Sequence, residues 1–316
     1  MALKRNLSGD RIFKLIAAAL ASSVFLILFF AVFALFDGSK PVLDRFGLSF
    51  LTNVQWNPVE GREAYGIFPY ILGTLVTSGI ALLIGVPVSI GIAMFLVEMS
   101  PSYVRTPLSF VIELLAAVPS VVYGLWGLFV FRFYVKDWIE TPLTTYLGFL
   151  PLFQGTPYGI SILTAGLILA IMIIPTVSSV SREIMLAVPN AQREAVYSLG
   201  GTKWEVIRVG VFSYVRSGLV AAAILGLGRA VGETMAVTMV IGNTIGAAAI
   251  PTSLIKGGQT MASLIANEFN EADPTSLHPS ALIGVGLVLF AMALIINIAG
   301  QLLVMKVLKV KGGAVE

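Results

Sequence analysis

Arg229 and Glu233 stand near the middle of an otherwise apolar stretch, GLGRAVGETMAVTMVIGN from Gly226 to Asn243, and no other placement in the chain is so costly. An ionised side chain at a bilayer centre is unfavourable by roughly 2.5 to 3.5 kcal/mol on insertion scales, so such groups face a bundle interior or an aqueous path. Spaced four apart on a continuous helix, the two share one face. A guanidinium fork matches the oxygens of an oxyanion, and Gly226, Gly228 and Gly232 leave room beside it. Glu233 then neutralises the arginine when no anion is bound. On the residues alone, two readings stay open: an anion path, or a structural ion pair between helices. Glu113 is a third ionisable residue inside apolar sequence, and Pro119-Ser120 follows it where a proline frees a backbone carbonyl one turn earlier. Either feature could serve transport, and Glu113 could equally reach the membrane interface.

The elements that must hold these groups are membrane helices. Of 316 residues, 57% are hydrophobic and 12% charged, with a mean hydropathy of +0.92, against about 25% charged in soluble domains. Six spans of roughly 20 residues fit this length. They are predicted at about 12–36, 68–97, 108–134, 159–180, 217–241 and 280–304, in one transmembrane domain covering 1–316 with no separate soluble unit. Ala19-Leu20-Ala21 imitates a cleavage site, but the apolar run continues to Phe36, so the first span is read as an uncleaved anchor. In the second span Gly73, Gly79, Gly85 and Gly91 would admit close neighbours, and Pro87 would kink it. Polar stretches 37–67, 134–158 and 242–279 read as loops, with His278 a helix-boundary residue.

Between the fourth and fifth spans, 181–216 reads as a hairpin of two short helices. Gln192–Leu199 is amphipathic and stops at Gly200-Gly201, and Thr202 caps a second helix with Glu205 at its third position. Two readings stay open for such a hairpin: a rigid docking surface for a partner protein, or an ordinary amphipathic hairpin at the membrane interface. Thirteen of the 20 Lys and Arg fall in the N-terminus, the 98–107 loop, this hairpin and the C-terminus, against six in the alternate loops. By the positive-inside rule both termini and the hairpin are cytoplasmic. The same rule accounts for the pI near 9.1 without nucleic-acid binding.

Chemistry of other kinds is poorly supplied. There is no cysteine, one histidine, no G-x-x-x-x-G-K-[ST] loop, no Ser-His-Asp set and no H-E-x-x-H, so neither catalytic residues nor a metal site are expected.

EAVYSLG, Glu194 to Gly200, resembles the EAA motif of prokaryotic ABC-importer permeases, matching at Glu194, Ala195 and Gly200. It departs at Val196, and at Gly210, Phe212 and Ser213 where that family has I-x-L-P. GRAVGETMAV with VIGN after it is similar to the signature of phosphate-specific (Pst) permeases, as are ELLAAVPSVVYG (Glu113–Gly124), GTLVTS (Gly73–Ser78) and WNP (Trp56–Pro58). The Met-Ala-Val after Thr234 favours the C-type over the A-type subunit. The resemblance implies an all-α, six-helix MetI-like permease of the bacterial cytoplasmic (inner) membrane, importing phosphate with a second, A-type permease, two ATPase subunits and an extracytoplasmic phosphate-binding protein. ATP and Mg2+ would be bound by the ATPase partner, with no cofactor in this chain. It implies further that the helix of Glu194, Ala195, Gly200 and Gly201 docks on the ATPase, and that Arg229, Glu233, Glu113, Thr234 and Ser120 line the substrate path. Rival expectations are an importer of tungstate, molybdate or sulfate, an ion-coupled secondary carrier that would need no docking helix, and a scaffold without transport.

Overall fold

The computed structural model describes residues 7–312, with side chains over 11–305; Lys4 and Arg5, and the side chains of Lys306, Lys309 and Lys311, lie outside this range. In chain order the elements are α1 (Leu7–Phe46), a hairpin of β1 (Trp56–Asn57) and β2 (Ala64–Tyr65), α2 (Phe68–Met99), α3 (Ser102–Ala116), α4 (Ser120–Leu147), α5 (Ile162–Leu186), α6 (Asn190–Ser198), α7 (Lys203–Gly232), α8 (Met235–Val240), α9 (Met261–Glu268) and α10 (His278–Gly312). Among the described residues five helices are long and apolar enough to cross a membrane, and α3 with α4 makes a sixth crossing if the bent pair counts as one.

Three of the expected spans are redrawn. The first helix does not stop at Phe36 but runs ten residues further, through Asp37, Gly38 and Pro41. Tertiary contacts override the turn-forming composition there. Val42 N donates to Ser280 Oγ of α10 at 3.2 Å, Ser39 and Val42 are fully buried, and a Cβ on Gly38 would meet Ile283 at 3.0 Å. The third span is not one rod: α3 and α4 meet at 92°. Proline's missing N–H and ring clash interrupt the helix at Pro119, which is itself extended at φ −60°, ψ 141° as the N-cap of α4, and the Tyr123 hydroxyl donates across the break to Leu115 O at 2.9 Å. Helix then persists to Leu147, through part of the stretch expected as loop. The fifth span stops at Gly232 and resumes at Met235.

The core is built on α5, most of which is buried, with α2 laid along it. Glycine sets their separation at two places: a Cβ on Gly85 would meet Ile173 at 2.8 Å, and one on Gly166 would meet Ile80 at 2.7 Å. At the end of the bundle away from the hairpin, a Cβ on Gly73 would overlap the carbonyl of Gln259. The six-residue glycine spacing of α2 is therefore only half used, because Gly79 and Gly91 have nothing within 4 Å. Aromatic groups close that same end, where Trp56 packs edge-on to Tyr65 and Tyr70 at 5.1 and 5.7 Å. Its indole N–H donates to Glu268 Oε2 at 2.8 Å, the oxygen that also holds His278.

Gly73→Ala is expected to lower the melting midpoint of the purified protein, because overpacking against a backbone carbonyl costs about 1–3 kcal/mol. Gly79→Ala should leave it unchanged or raise it, since alanine is favoured over glycine in a helix by roughly 0.5–1 kcal/mol; equal midpoints for the two variants would contradict this packing.

Candidate functional site

The break in the fifth span changes the geometry expected of Arg229 and Glu233. Arg229 lies in the last turn of α7, but Glu233 has left the helix, with φ −70° and ψ 129°. The two do not share a helix face. Glu233 instead turns forward, its Oε1 accepting from Ala236 N at 3.2 Å and so capping the first turn of α8. Thr234 sits between the two helices, its hydroxyl on Gly232 O at 3.3 Å, and Thr238 Oγ1 donates back to Thr234 O at 2.7 Å. Backbone polar groups freed inside a membrane must find partners of this kind. At the far end of α8, Gly242 (φ +98°) and Asn243 (φ +48°) turn the chain in the left-handed region, and Asn243 Nδ2 donates to Thr238 O at 2.8 Å.

Arg229 is half-buried and donates from Nη1 to Thr176 Oγ1 of α5 at 2.9 Å. No carboxylate lies within 4 Å of it among the described residues, so the expected neutralising pair with Glu233 is not formed. Tyr123 of α4 lies within electrostatic range of the guanidinium. Glu113 belongs to a different cluster: it accepts from Arg182 Nη2 of α5 at 2.9 Å and is itself largely exposed. Ser120 opens α4 just after the Pro119 break, and α4 packs against α8 through Gly124 and Gly127, whose added Cβ atoms would meet Ala236 Cα at 3.0 Å and Val240 at 3.1 Å. Thr176 and Tyr123 were missed in the sequence. Thr176 follows Pro175 inside an apolar run, and that juxtaposition was the available signal.

The hairpin forms as expected. α6 ends at Ser198, Gly200 takes φ +79°, and Gly200 N and Gly201 N close onto the carbonyls of Tyr197 and Val196 at 2.9 and 3.0 Å. Thr202 and Glu205 make the reciprocal capping box. The stretch after it, Val206–Phe212, departs from the expected α-helix by widening to i→i+5 geometry, where the sequence also lacks the I-x-L-P of the motif. Glu194 and Ala195 are exposed, as are Tyr197, Leu199 and Trp204, which leaves a mixed polar and apolar face uncovered.

The opposite face of α6 is clamped by a residue that sequence reasoning did not single out. Arg193 donates from Nη2 and Nε to Glu98 Oε1 of α2 at 2.8 and 3.1 Å, and further to the carbonyls of Met185 and Val188 at 3.1 and 2.7 Å. With side-chain exposures of 17% and 10%, this pair is shielded from solvent screening. Arg105 adds to it, capping the carbonyls of Leu96 and Val97 at 2.7 and 2.8 Å. At the other end of the bundle, hydrogen bonds from Thr275 N and Oγ1 hold the Asp273 carboxyl below its ordinary range, so it stays charged at neutral pH.

Comparison with known proteins places this geometry among transporters. The model of the binding-protein-dependent transport system inner membrane component matches residues 85–309. The chain is 46% identical over 307 residues to the phosphate transport system permease protein PstC of Haemophilus influenzae, covering 96% of this chain and 95% of that one. It is 41% identical over 304 residues to PstC 2 of Mycobacterium tuberculosis, covering 93% and 91%. The probable PstC of Methanocaldococcus jannaschii is 34% identical over 304 residues, covering 95% of each chain. Among solved structures, a bacterial alginate ABC transporter in complex with its alginate-bound periplasmic protein aligns at a TM-score of 0.59 and 15% identity, over 94% of this chain and 96% of that chain. The inward-facing MetNI methionine ABC transporter aligns at 0.51 and 18%, over 77% and 94%. At such identities the likeness is one of fold.

Glu98→Ala should free α6 from α2 and leave Arg193 without its carboxylate, at a cost of roughly 1.5–3 kcal/mol for a hydrogen bond to a charged group. Hydrogen exchange at residues 190–198 is expected to accelerate about tenfold or more, since each 1.4 kcal/mol is a factor of ten; unchanged protection would show that the clamp does not hold the hairpin.

Proposed function

Because the chain belongs to the binding-protein-dependent transport system inner membrane components, and within them to the phosphate transport system permease proteins, we propose that it is the C-type permease of an ATP-driven importer of inorganic phosphate. The chain supplies half of the membrane path, and an A-type permease supplies the other half. Two ATPase subunits carry ATP and Mg2+ on the cytoplasmic side, where the hairpin and both termini lie. A phosphate-binding protein delivers substrate to the opposite face.

The observation that carries this reading is Arg229, held at the end of an interrupted membrane helix with a neutral hydroxyl as its partner. A guanidinium already paired to a carboxylate would have its charge spent. One hydrogen-bonded to Thr176 stays positive and keeps donors for a phosphate oxygen. Glu233 lies four residues on, bound through a single backbone N–H. Its negative charge limits how tightly the anion is held near Arg229, so that phosphate leaves as readily as it enters. Thr234 and Ser120 add polar groups on the α7–α8 and α3–α4 breaks. Glu113 is tied to Arg182, and its charge is balanced there.

Coupling is mechanical. The ATPase grips the exposed face of α6 around Glu194, Ala195 and the Gly200-Gly201 turn. Closure of the ATPase dimer displaces α6, and the Arg193 clamp passes that displacement to the ends of α2 and α5. Since α5 also holds Arg229 through Thr176, the same movement shifts the guanidinium between the two sides.

In a complex reconstituted with its partners, Arg229→Gln should reduce phosphate uptake to background while assembly is retained; uptake at the wild-type rate would remove Arg229 from the path. Tungstate, molybdate or sulfate competing at equal concentration should leave uptake of labelled phosphate largely intact, and a preference for one of them would reassign the substrate. Glu194→Arg is expected to lose the ATPase from the purified complex or to let it hydrolyse ATP without transport, and normal, coupled turnover would place the docking elsewhere.

A further inference from the structure

We propose that Arg132 and Lys136 form a second oxyanion site, at the outer mouth of the path, where phosphate is held before it reaches Arg229. The proposal rests on the phosphate-import reading above.

A cavity of about 490 Å³ opens at the end of the bundle away from the hairpin, lined by Arg132, Phe133, Lys136, Tyr158 and Ile160 and by the backbone of Gly242 and Gly257. That volume is in the range of small-molecule sites. Its charge is positive. No carboxylate lies within 4 Å of Arg132 among the described residues, and its buried Nε has no protein acceptor. The Phe133 ring, 4.6 Å from Cζ, flanks the guanidinium and leaves its charge unneutralised. Lys136 approaches only Asp137, at 3.9 Å between two well-exposed side chains, a pair of little energetic weight. Two of the other basic residues at this end are spent differently: Lys40 on Asp37 at 2.7 Å and Arg45 on Glu63 at 3.0 Å.

A second carboxylate close to the cavity, that of Glu140, is committed elsewhere. Glu140 is fully buried, with Oε2 accepting from Gly159 N at 2.8 Å and Oε1 from Ser161 Oγ at 2.6 Å and Thr164 Oγ1 at 3.4 Å. It fastens the start of α5 beside the cavity. Gly159, at φ +71°, fits only without a side chain because an added Cβ would overlap the Arg132 carbonyl. The opposite wall is the left-handed turn at Gly242, where a Cβ would come within 3.0 Å of Gly257 Cα.

Position ties the cavity to transport. Gly242 follows the end of α8 and Glu233 precedes its start, and six helical residues span about 9 Å. The two cationic places thus stand at the two ends of one short helix. α8 thus separates the mouth from Arg229 by its own short length, and an unneutralised guanidinium beside a loosely paired ammonium raises the local concentration of a dianion and the rate at which it is captured.

The test uses the complete complex in proteoliposomes, with inorganic phosphate as the probe. For R132Q/K136Q, uptake at low phosphate should fall about tenfold and the apparent KM should rise, while assembly and the maximal rate are retained; wild-type KM and rate in the variant overturn the site. Absence of phosphate uptake by the wild-type complex would defeat the import reading itself, a result the variants cannot produce. The chain contains no cysteine, so K136C in a complex with cysteine-free partners can be given either charge. A cationic aminoethyl thiosulfonate should restore uptake and an anionic sulfonatoethyl reagent should depress it. Equal uptake after both reagents overturns the proposal even where R132Q/K136Q does not assemble. A lipid headgroup has the same oxyanion chemistry, so the variants are run in purely zwitterionic vesicles and in vesicles containing anionic lipid. The same defect is expected in both, and a defect confined to anionic vesicles would assign the cavity to lipid and overturn the proposal.

Discussion

Inside hydrocarbon no water is present to satisfy a backbone group, and an interrupted helix must close its own hydrogen bonds. This chain interrupts two of its membrane helices and closes both breaks with side chains. Tyr123 reaches back to Leu115 O across the Pro119 break, and Glu233 reaches forward to Ala236 N across the Gly232 break. Asn243 does the same on Thr238 O where α8 ends. The polar residues conspicuous in the apolar sequence are thus partly the means by which irregular backbone is tolerated. That backbone in turn places Arg229 in the last turn of α7, with Nη1 donating to Thr176.

α5 is the common support for all of this. Near the hairpin its last turn offers Met185 O to Arg193, and Arg182 holds Glu113. Midway, Thr176 takes Arg229 and Val177 approaches so near Gly226 of α7 that a Cβ there would meet it at 2.6 Å. At the far end Ser161 and Thr164 hold Glu140. One buried helix therefore touches the α6–α7 hairpin, Arg229 and the wall of the Arg132 cavity, in an interior whose close packing transmits strain.

Local chemistry was legible where it is encoded by neighbours in sequence. Gly200, the Thr202–Glu205 box and the Pro119 break were all readable because each device is complete within a few residues. The break after Gly232 was not, since no proline marks it and Arg229 and Glu233 at a spacing of four read as one helical face. The extension of α1 past Phe36 was hidden for the opposite reason: Asp37, Gly38 and Pro41 are turn formers locally, and only Ser280 and Ile283, some 240 residues away in sequence, make them helical. Thr176, Arg193 and Glu140 share that difficulty. Their partners are long-range, so their importance lies in the packing and not in any motif.

The 92° angle between α3 and α4 has a consequence for the membrane itself. Two segments at right angles cannot both follow the bilayer normal, so the depth of this crossing is set by a joint as well as by helix length. Along α3 the exposed side chains include Phe110, Val111, Leu114 and Leu115. A straight span answers a change in bilayer thickness by tilting. Counted as one crossing, this pair has a joint at Pro119 besides its tilt, so its height depends on the angle between α3 and α4 as well as on their lengths.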